Sequence, residues 1–109
     1  MTVNDLQAAL SLTPVSLPEG DREVEGVYIG DLLSWVMGRA QSGNVWLTIM
    51  SNLNIVAVAT LSDVSCILLC EGVTPDATVT ETAQAKGVNI LTTTMTAYEA
   101  ASKLAEMGL

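Results

Sequence analysis

The chain has 109 residues and a formal net charge of −8, with only four basic residues and no histidine. This length predicts a single domain over residues 1–109. Nucleic acids and anionic membrane surfaces are excluded as partners, because binding them requires clustered Lys and Arg and the basic residues are scattered singly. No apolar run approaches the roughly 20 residues needed to cross a bilayer. The N-terminus lacks the basic start of a signal peptide, so a cytoplasmic location is expected.

The first half of the chain predicts short elements. Gly30-Asp31 leads into one helix, which ends near Gly38. The pattern indicates a helix over 4–10, a short strand over 15–17 and a turn over 18–21. An alternating strand over 24–29 and the helix over 32–37 follow. The arrangement of these elements stays open.

The second half has a clearer pattern. A β-rich run over 44–50 precedes a helix over 55–61, for which Ser51 or Asn52 would be the N-cap. The next run, 64–70, is continuously apolar, as in a strand that is buried on both faces.

The remaining elements carry cap signals. Thr74 is predicted as an N-cap with Pro75 at the first helical position, and Lys86-Gly87 closes that helix. A strand over 88–92 follows. Thr96 and Glu99 match a capping box that opens the last helix. Strands that alternate with helices across short connections predict an α/β domain with parallel strands.

The two cysteines, Cys66 and Cys70, lie four residues apart in a predicted strand. Their side chains would point to one face, but at about 3.3 Å per residue they are too far apart to form a disulfide. We interpret them as reduced cysteines that serve as small apolar residues. With no histidine and no second cysteine pair, no zinc or other metal site is predicted.

A candidate ligand site follows from the strand-to-helix junctions. In open parallel sheets, ligands bind outside the carboxyl ends of the strands, and three junctions would share that edge. They offer helix N-termini with free N–H groups, which can hold a phosphate or carboxylate. The candidate residues are Ser51, Asn52, Asn54, Glu71, Gly72, Thr74, Thr93, Thr94 and Thr96. Ordinary N-capping explains the hydroxyls without a ligand, and Glu71 could equally be a solvated loop residue.

The sequence gives no support for catalysis. Without histidine there is no Ser-His or Cys-His couple. Neither a GxxxxGK[ST] nor a GxGxxG phosphate-binding pattern is present. Glu71 has no second carboxylate near it in sequence, so paired acid–base chemistry is not supported. We predict a protein that is not an enzyme and uses no cofactor.

The chain resembles the DRTGG domain family from Val24 onward. The resemblance rests on Val24–Asp31, on CILLCEGVTPDATVTETAQAKGVNILTT and on the ending TAYEAASKLAEMG. The family's Asp-Arg turn corresponds to 51–54, and its Thr-Gly-Gly turn corresponds to 70–72, where only the last glycine is kept. The resemblance implies a three-layer α/β/α domain with a mostly parallel sheet, similar to the N-terminal domain of HPr kinase/phosphorylase. It also implies a regulatory role and dimer formation.

Three functional hypotheses remain open. The first is a regulatory module that binds a nucleotide or another phosphorylated metabolite at the strand edge. The second is a homodimeric or complex-forming subunit with no small ligand, which exposed Trp35, Trp46 or Met37 would favour. The third is an enzyme that acts through Glu71 or Cys70.

Overall fold

The computed structural model describes all residues from 1 to 109. Five strands and five helices follow one another along the chain. Their bounds are α1 (Val3–Ala9), β1 (Thr13–Ser16), β2 (Val27–Ile29), α2 (Leu33–Arg39), β3 (Val45–Thr48), α3 (Asn54–Ser62), β4 (Cys66–Leu69), α4 (Ala77–Lys86), β5 (Ile90–Thr92) and α5 (Ala97–Glu106). None of these helices is long and apolar enough to span a membrane.

The strands form one sheet in the order β1-β5-β4-β3-β2. Strands β2 to β5 are parallel to their neighbours, and β1 pairs antiparallel with β5 at one edge. The predicted mostly parallel sheet is therefore confirmed. The last three strands lie side by side and run in the same direction.

Two apolar clusters cover the two faces of this sheet. Parallel register pairs Trp46 with Ile67, and their side chains pack with α2, α3 and α4. The next pair, Leu47 with Leu68, points to the other face and packs with α1 and α5. Because successive side chains of a strand alternate between the two faces of the sheet, each central strand contributes side chains to both clusters. The domain is a three-layer α/β/α sandwich, as predicted.

Two predicted helix starts are wrong. Helix α4 is capped by Asp76, whose carboxylate accepts the Val79 N–H at 3.0 Å, and neither Thr74 nor Pro75 is in the helix. An ionised carboxylate is a stronger acceptor at the positive end of a helix than a hydroxyl is. For α3 the N-cap is Leu53, which has no side-chain cap.

The predicted end of α4 and the predicted start of α5 are confirmed. Gly87 ends α4 in the left-handed conformation, with φ of 74°. At the start of α5, the Thr96 hydroxyl accepts the Glu99 N–H and the Glu99 carboxylate accepts the Thr96 N–H. This reciprocal capping box satisfies two backbone donors that a helix leaves free.

Strand β2 is shorter than the predicted run over 24–29. Val24 donates its N–H to the Met1 carbonyl, and Glu23 forms an isolated antiparallel bridge with Thr2. Residues 23 and 24 are thus paired with the N-terminus, and pairing towards β3 begins only at Glu25 and Gly26, which bond to Gly43 and Val45. Pairing partners far away in sequence decide this boundary, so local alternation could not predict it.

Cys66 and Cys70 are free and buried on the sheet face that packs against α1 and α5. The predicted common face is confirmed. Burial raises the pKa of the Cys66 thiol to about 12. It also raises the pKa of the Cys70 thiol to about 11, with a smaller contribution from the nearby Glu71 and Asp31 carboxylates. Both groups are therefore neutral thiols at physiological pH.

These pKa values predict a loss of stability at alkaline pH. Unfolded thiols ionise near their ordinary pKa of 9.0, whereas the folded ones stay protonated, so the stabilisation is complete below pH 9 and is lost as pH rises towards about 12. The loss is at most about 1.4 kcal/mol per thiol for each pH unit. Urea unfolding of the wild type and of a Cys66→Ala/Cys70→Ala variant should show a steeper fall above pH 9 in the wild type. Parallel pH profiles would contradict this account.

Candidate functional site

The carboxyl ends of the four parallel strands lie along one edge of the sheet, which we call the C-terminal edge. Three of its loops were predicted at 50–54, 70–74 and 92–96, and in the structure they span 49–53, 70–76 and 93–96. The structure adds the loop between β2 and α2, because β2 lies parallel beside β3. This fourth loop, 30–32, includes Asp31.

All nine predicted candidate residues lie in these loops or at their junctions with a helix. Ser51 and Thr93 are half-buried, and the other seven are exposed. The chain therefore presents these residues to solvent at one edge.

Two backbone hydrogen bonds join the loops 70–76 and 93–96. The Glu71 N–H donates to the Met95 carbonyl at 2.8 Å, and the Gly72 N–H donates to the Thr93 carbonyl at 2.9 Å. These bonds hold the two loops beside each other, and from them α4 and α5 pass to opposite faces of the sheet. No comparable bond connects the loop 49–53 to either of them.

The turn at the end of β4 has an uncommon backbone conformation. Glu71 and Gly72 both have positive φ, at 60° and 76°, and the Val73 N–H donates to the Cys70 carbonyl at 3.3 Å. Two successive residues with positive φ define a type I′ turn, which favours glycine at both positions. The two glycines of the resembling Thr-Gly-Gly turn correspond to these two positions. Glu71 therefore occupies a position that suits glycine, and it is exposed.

Asp31 is the residue of this edge that sequence reasoning missed as a site residue. Its carboxylate oxygen Oδ1 accepts from the Thr48 hydroxyl at 2.8 Å and from the Ile49 N–H at 3.1 Å. The Thr48 hydroxyl in turn accepts the Met50 N–H at 3.2 Å. The Gly-Asp step after an alternating run was the available signal, but it had meaning only once β2 was known to be parallel to β3.

Several candidate side chains already have structural partners. The Asn52 side-chain oxygen accepts the Asn54 N–H at 3.0 Å. The Thr93 hydroxyl accepts the Met95 N–H at 3.2 Å, and Thr96 is held in the capping box. Capping thus accounts for these groups, whereas Ser51, Thr74 and Thr94 form no side-chain hydrogen bond.

The three helix N-termini at this edge differ in how many of their first backbone N–H groups are free. In α3 the first three N–H groups, of residues 54–56, all donate to residues 52 and 53. In α4 and α5 the caps take up the third N–H, and the first two have no partner inside the helix. The donors available to an anion are therefore those of Ala77, Thr78, Ala97 and Tyr98.

The basic residues of the chain lie at the edge of the sheet opposite the carboxyl ends of the strands. Arg39, Lys86 and Lys103 lie in the last turns of their helices, and Arg22 contacts Asp63 at the end of α3. These helices end at the edge opposite the carboxyl ends of the strands. The C-terminal edge instead carries Asp31, Glu71, Asp76 and Glu99. An anion at this edge would be held by backbone N–H groups and helix dipoles, against nearby negative charge.

Neither of the two concavities of the molecule is centred on the C-terminal edge. The larger of two concavities, about 480 Å³, lies between α3 and α4 and touches this edge only at Leu53 and Asn54. The smaller one, about 160 Å³, lies near the ends of α3 and α4. No group of three or more Cys, Asp and Glu side chains is placed to hold a metal ion.

Loss of the Asp31 carboxylate should weaken the fold. In Asp31→Ala, the nearly buried Thr48 hydroxyl and the Ile49 N–H lose their acceptor. We expect the free energy of unfolding to fall by about 1–3 kcal/mol in urea titrations, and by less in Asp31→Asn, which keeps an acceptor oxygen. Glu106→Ala, which removes an exposed carboxylate from α5, is the control. An equal effect of the two alanine variants would contradict this role.

Comparisons with known proteins fit this architecture. The DRTGG domain model matches residues 17–107. A similar solved structure contains the CBS and DRTGG domains of the regulatory region of Clostridium perfringens pyrophosphatase, complexed with the activator diadenosine tetraphosphate. The TM-score is 0.72 at 17% sequence identity, and the match covers 93% of this chain and 44% of the other. No curated protein matches the chain. Because the family model spans most of its length, the chain belongs to the DRTGG domain family.

Proposed function

We propose that the chain is a non-catalytic regulatory module that binds a nucleotide or another phosphorylated metabolite at the C-terminal edge. The observation that carries this proposal is the pair of helix N-termini at α4 and α5. Backbone hydrogen bonds hold the two loops together, and each helix offers two N–H groups that the caps leave free. Such donors can bind a phosphate without a basic side chain.

The ligand class has support from the structural neighbour. The regulatory region of the pyrophosphatase was crystallised with a nucleotide activator that carries several phosphates. In the chain described here, four carboxylates surround the edge and the basic residues lie elsewhere. Repulsion from these carboxylates favours ligands of low charge. We therefore propose AMP or acetyl phosphate as better ligands than free ATP.

Two groups that could have supported catalysis are poorly placed for it. The Cys70 thiol is buried, and its pKa is raised to about 11, so it supplies no thiolate at neutral pH. Glu71 is an exposed loop residue held in a turn. A binding role needs neither group to be reactive.

Binding at this edge is tested by titrating AMP, acetyl phosphate, ADP and ATP while following backbone amide shifts. We expect saturable shifts at residues 72–78 and 93–98, with the tightest binding for the least charged ligands. Thr94→Asp adds a negative charge at the edge and should weaken binding about tenfold. Gln41→Asp adds the same charge at the opposite edge and should leave affinity unchanged. Absence of shifts at both segments, or equal effects of the two variants, would contradict the proposal.

A specific observation favours a second candidate function, self-association. Ile29, Leu32 and Trp35 lie at and just after the outer strand β2, and each is about half exposed. Met37 is exposed as well, whereas Trp46 is buried and donates its indole N–H to the Gly30 carbonyl at 2.8 Å. Large apolar side chains beside an open strand are typical of interfaces.

The homodimer is tested by light scattering coupled to size separation. We expect a dimer for the wild type and a monomer for Trp35→Glu, because the charge would have to be buried in the interface. Tyr98→Glu changes an aromatic residue that is 81% exposed on α5 and should leave the dimer intact. A wild-type monomer at all concentrations would exclude this function without affecting the ligand proposal.

A further inference from the structure

Helix α3 has an uncharged surface in a strongly acidic chain. Its sequence, NIVAVATLS, contains no Asp, Glu, Lys or Arg, although the chain carries a net charge of −8. Leu53 and Leu61 are exposed by 47% and 71%, and Ala57 lies midway between them on the same face. Residues four apart share a helix face, so these three form an apolar stripe. Surface helices normally present charged side chains on such a face.

This stripe forms one wall of a groove between α3 and α4. The two helices run parallel, because each connects neighbouring parallel strands. The groove has a volume of about 480 Å³. Besides the stripe, Val56 of α3 and Thr82 and Lys86 of α4 line it.

The dimensions fit a small molecule better than a protein partner. The stripe from Leu53 to Leu61 covers about 12 Å at 1.5 Å per residue. Small-molecule sites have volumes of roughly 300–1,000 Å³. A stable protein interface needs about 800 Å² on each partner, and a second copy would bring an equal net charge of −8.

Lys86 is the charged side chain among the groove residues, and it lies at the Leu61 end. The chain's ion pairs join the N-terminus to Glu23 and Arg22 to Asp63, so the Lys86 ammonium group is unpaired. The smaller neighbouring concavity also includes Lys86, which therefore lies where the two spaces meet.

The other polar groups of the groove are poor donors for an anion. The Thr60 hydroxyl donates to the Val56 carbonyl at 3.0 Å, and the Thr82 hydroxyl donates to the Thr78 carbonyl at 2.8 Å. These bonds use the hydroxyl protons within the helices. Asn54, with its side-chain amide, lies at the opposite end from Lys86. A ligand along the stripe thus meets apolar walls and one positive charge at its end.

We infer that this groove binds a small amphipathic carboxylic acid. The hydrocarbon part lies along Leu53, Ala57 and Leu61, and the carboxylate pairs with the Lys86 ammonium group. This site is separate from the N–H donors of α4 and α5 at the C-terminal edge, so it stands whether or not a phosphorylated ligand binds there.

The probe is octanoate, with octan-1-ol as its uncharged counterpart. We expect saturable amide shifts along α3 and α4 with octanoate and about tenfold weaker binding of octanol. Lys86→Gln should remove this preference, whereas Lys103→Gln, which neutralises a cation on α5, should keep it. Equal affinities of the two probes for the wild type, or an equal effect of the two lysine variants, would overturn the inference.

A second pair of variants tests the apolar wall. Ala57→Leu fills the middle of the groove and should abolish octanoate binding. Ala85→Leu places the same side chain on an exposed position of α4 that does not line the groove, and it should bind octanoate normally. Circular dichroism establishes that both variants are folded. Retained binding in Ala57→Leu would overturn the inference, as would a dimer that buries Leu53 and Leu61 and excludes octanoate.

Discussion

The parallel pairing of β3, β4 and β5 is the constraint on which the rest of the structure depends. Strand β4 is buried at every residue, so helices must cover both of its faces. A parallel connection requires a crossover, and each crossover here is a helix that returns the chain to the start of the next strand. The pairing therefore fixes the three layers. It also brings the outgoing loops of the strands to a common edge.

The same constraint keeps the basic residues away from the C-terminal edge. Because the helices run opposite to the strands, their first turns lie at the C-terminal edge and their last turns lie at the other edge. Acidic caps such as Asp76 and Glu99 suit first turns, and basic residues such as Lys86 and Lys103 suit last turns. Helix stability thus places carboxylates beside the candidate site and removes cations from it. A ligand at this edge must be recognised through backbone N–H groups.

The groove between α3 and α4 has a different chemical character from the C-terminal edge. The edge offers hydrogen-bond donors without positive side chains, whereas the groove offers apolar walls with one unpaired cation. The groove arises where the crossover helices α3 and α4 lie side by side on one face of the sheet, whereas the edge combines the N-termini of helices from both faces. A domain of this size can therefore present two recognition surfaces of different chemistry on one rigid sheet.

The sequence by itself determined the α/β class, the direction of the last three strands, the capping box of α5 and the common face of the two cysteines. These features follow from local periodicity and from hydrogen bonds within a few residues. Only the tertiary structure decided the length of β2 and the role of Asp31. It also decided that the loops before α4 and α5 lie side by side. Each of these depends on partners whose approach is set by packing, such as Thr48 for Asp31 and Met95 for Glu71, and no local pattern encodes those distances.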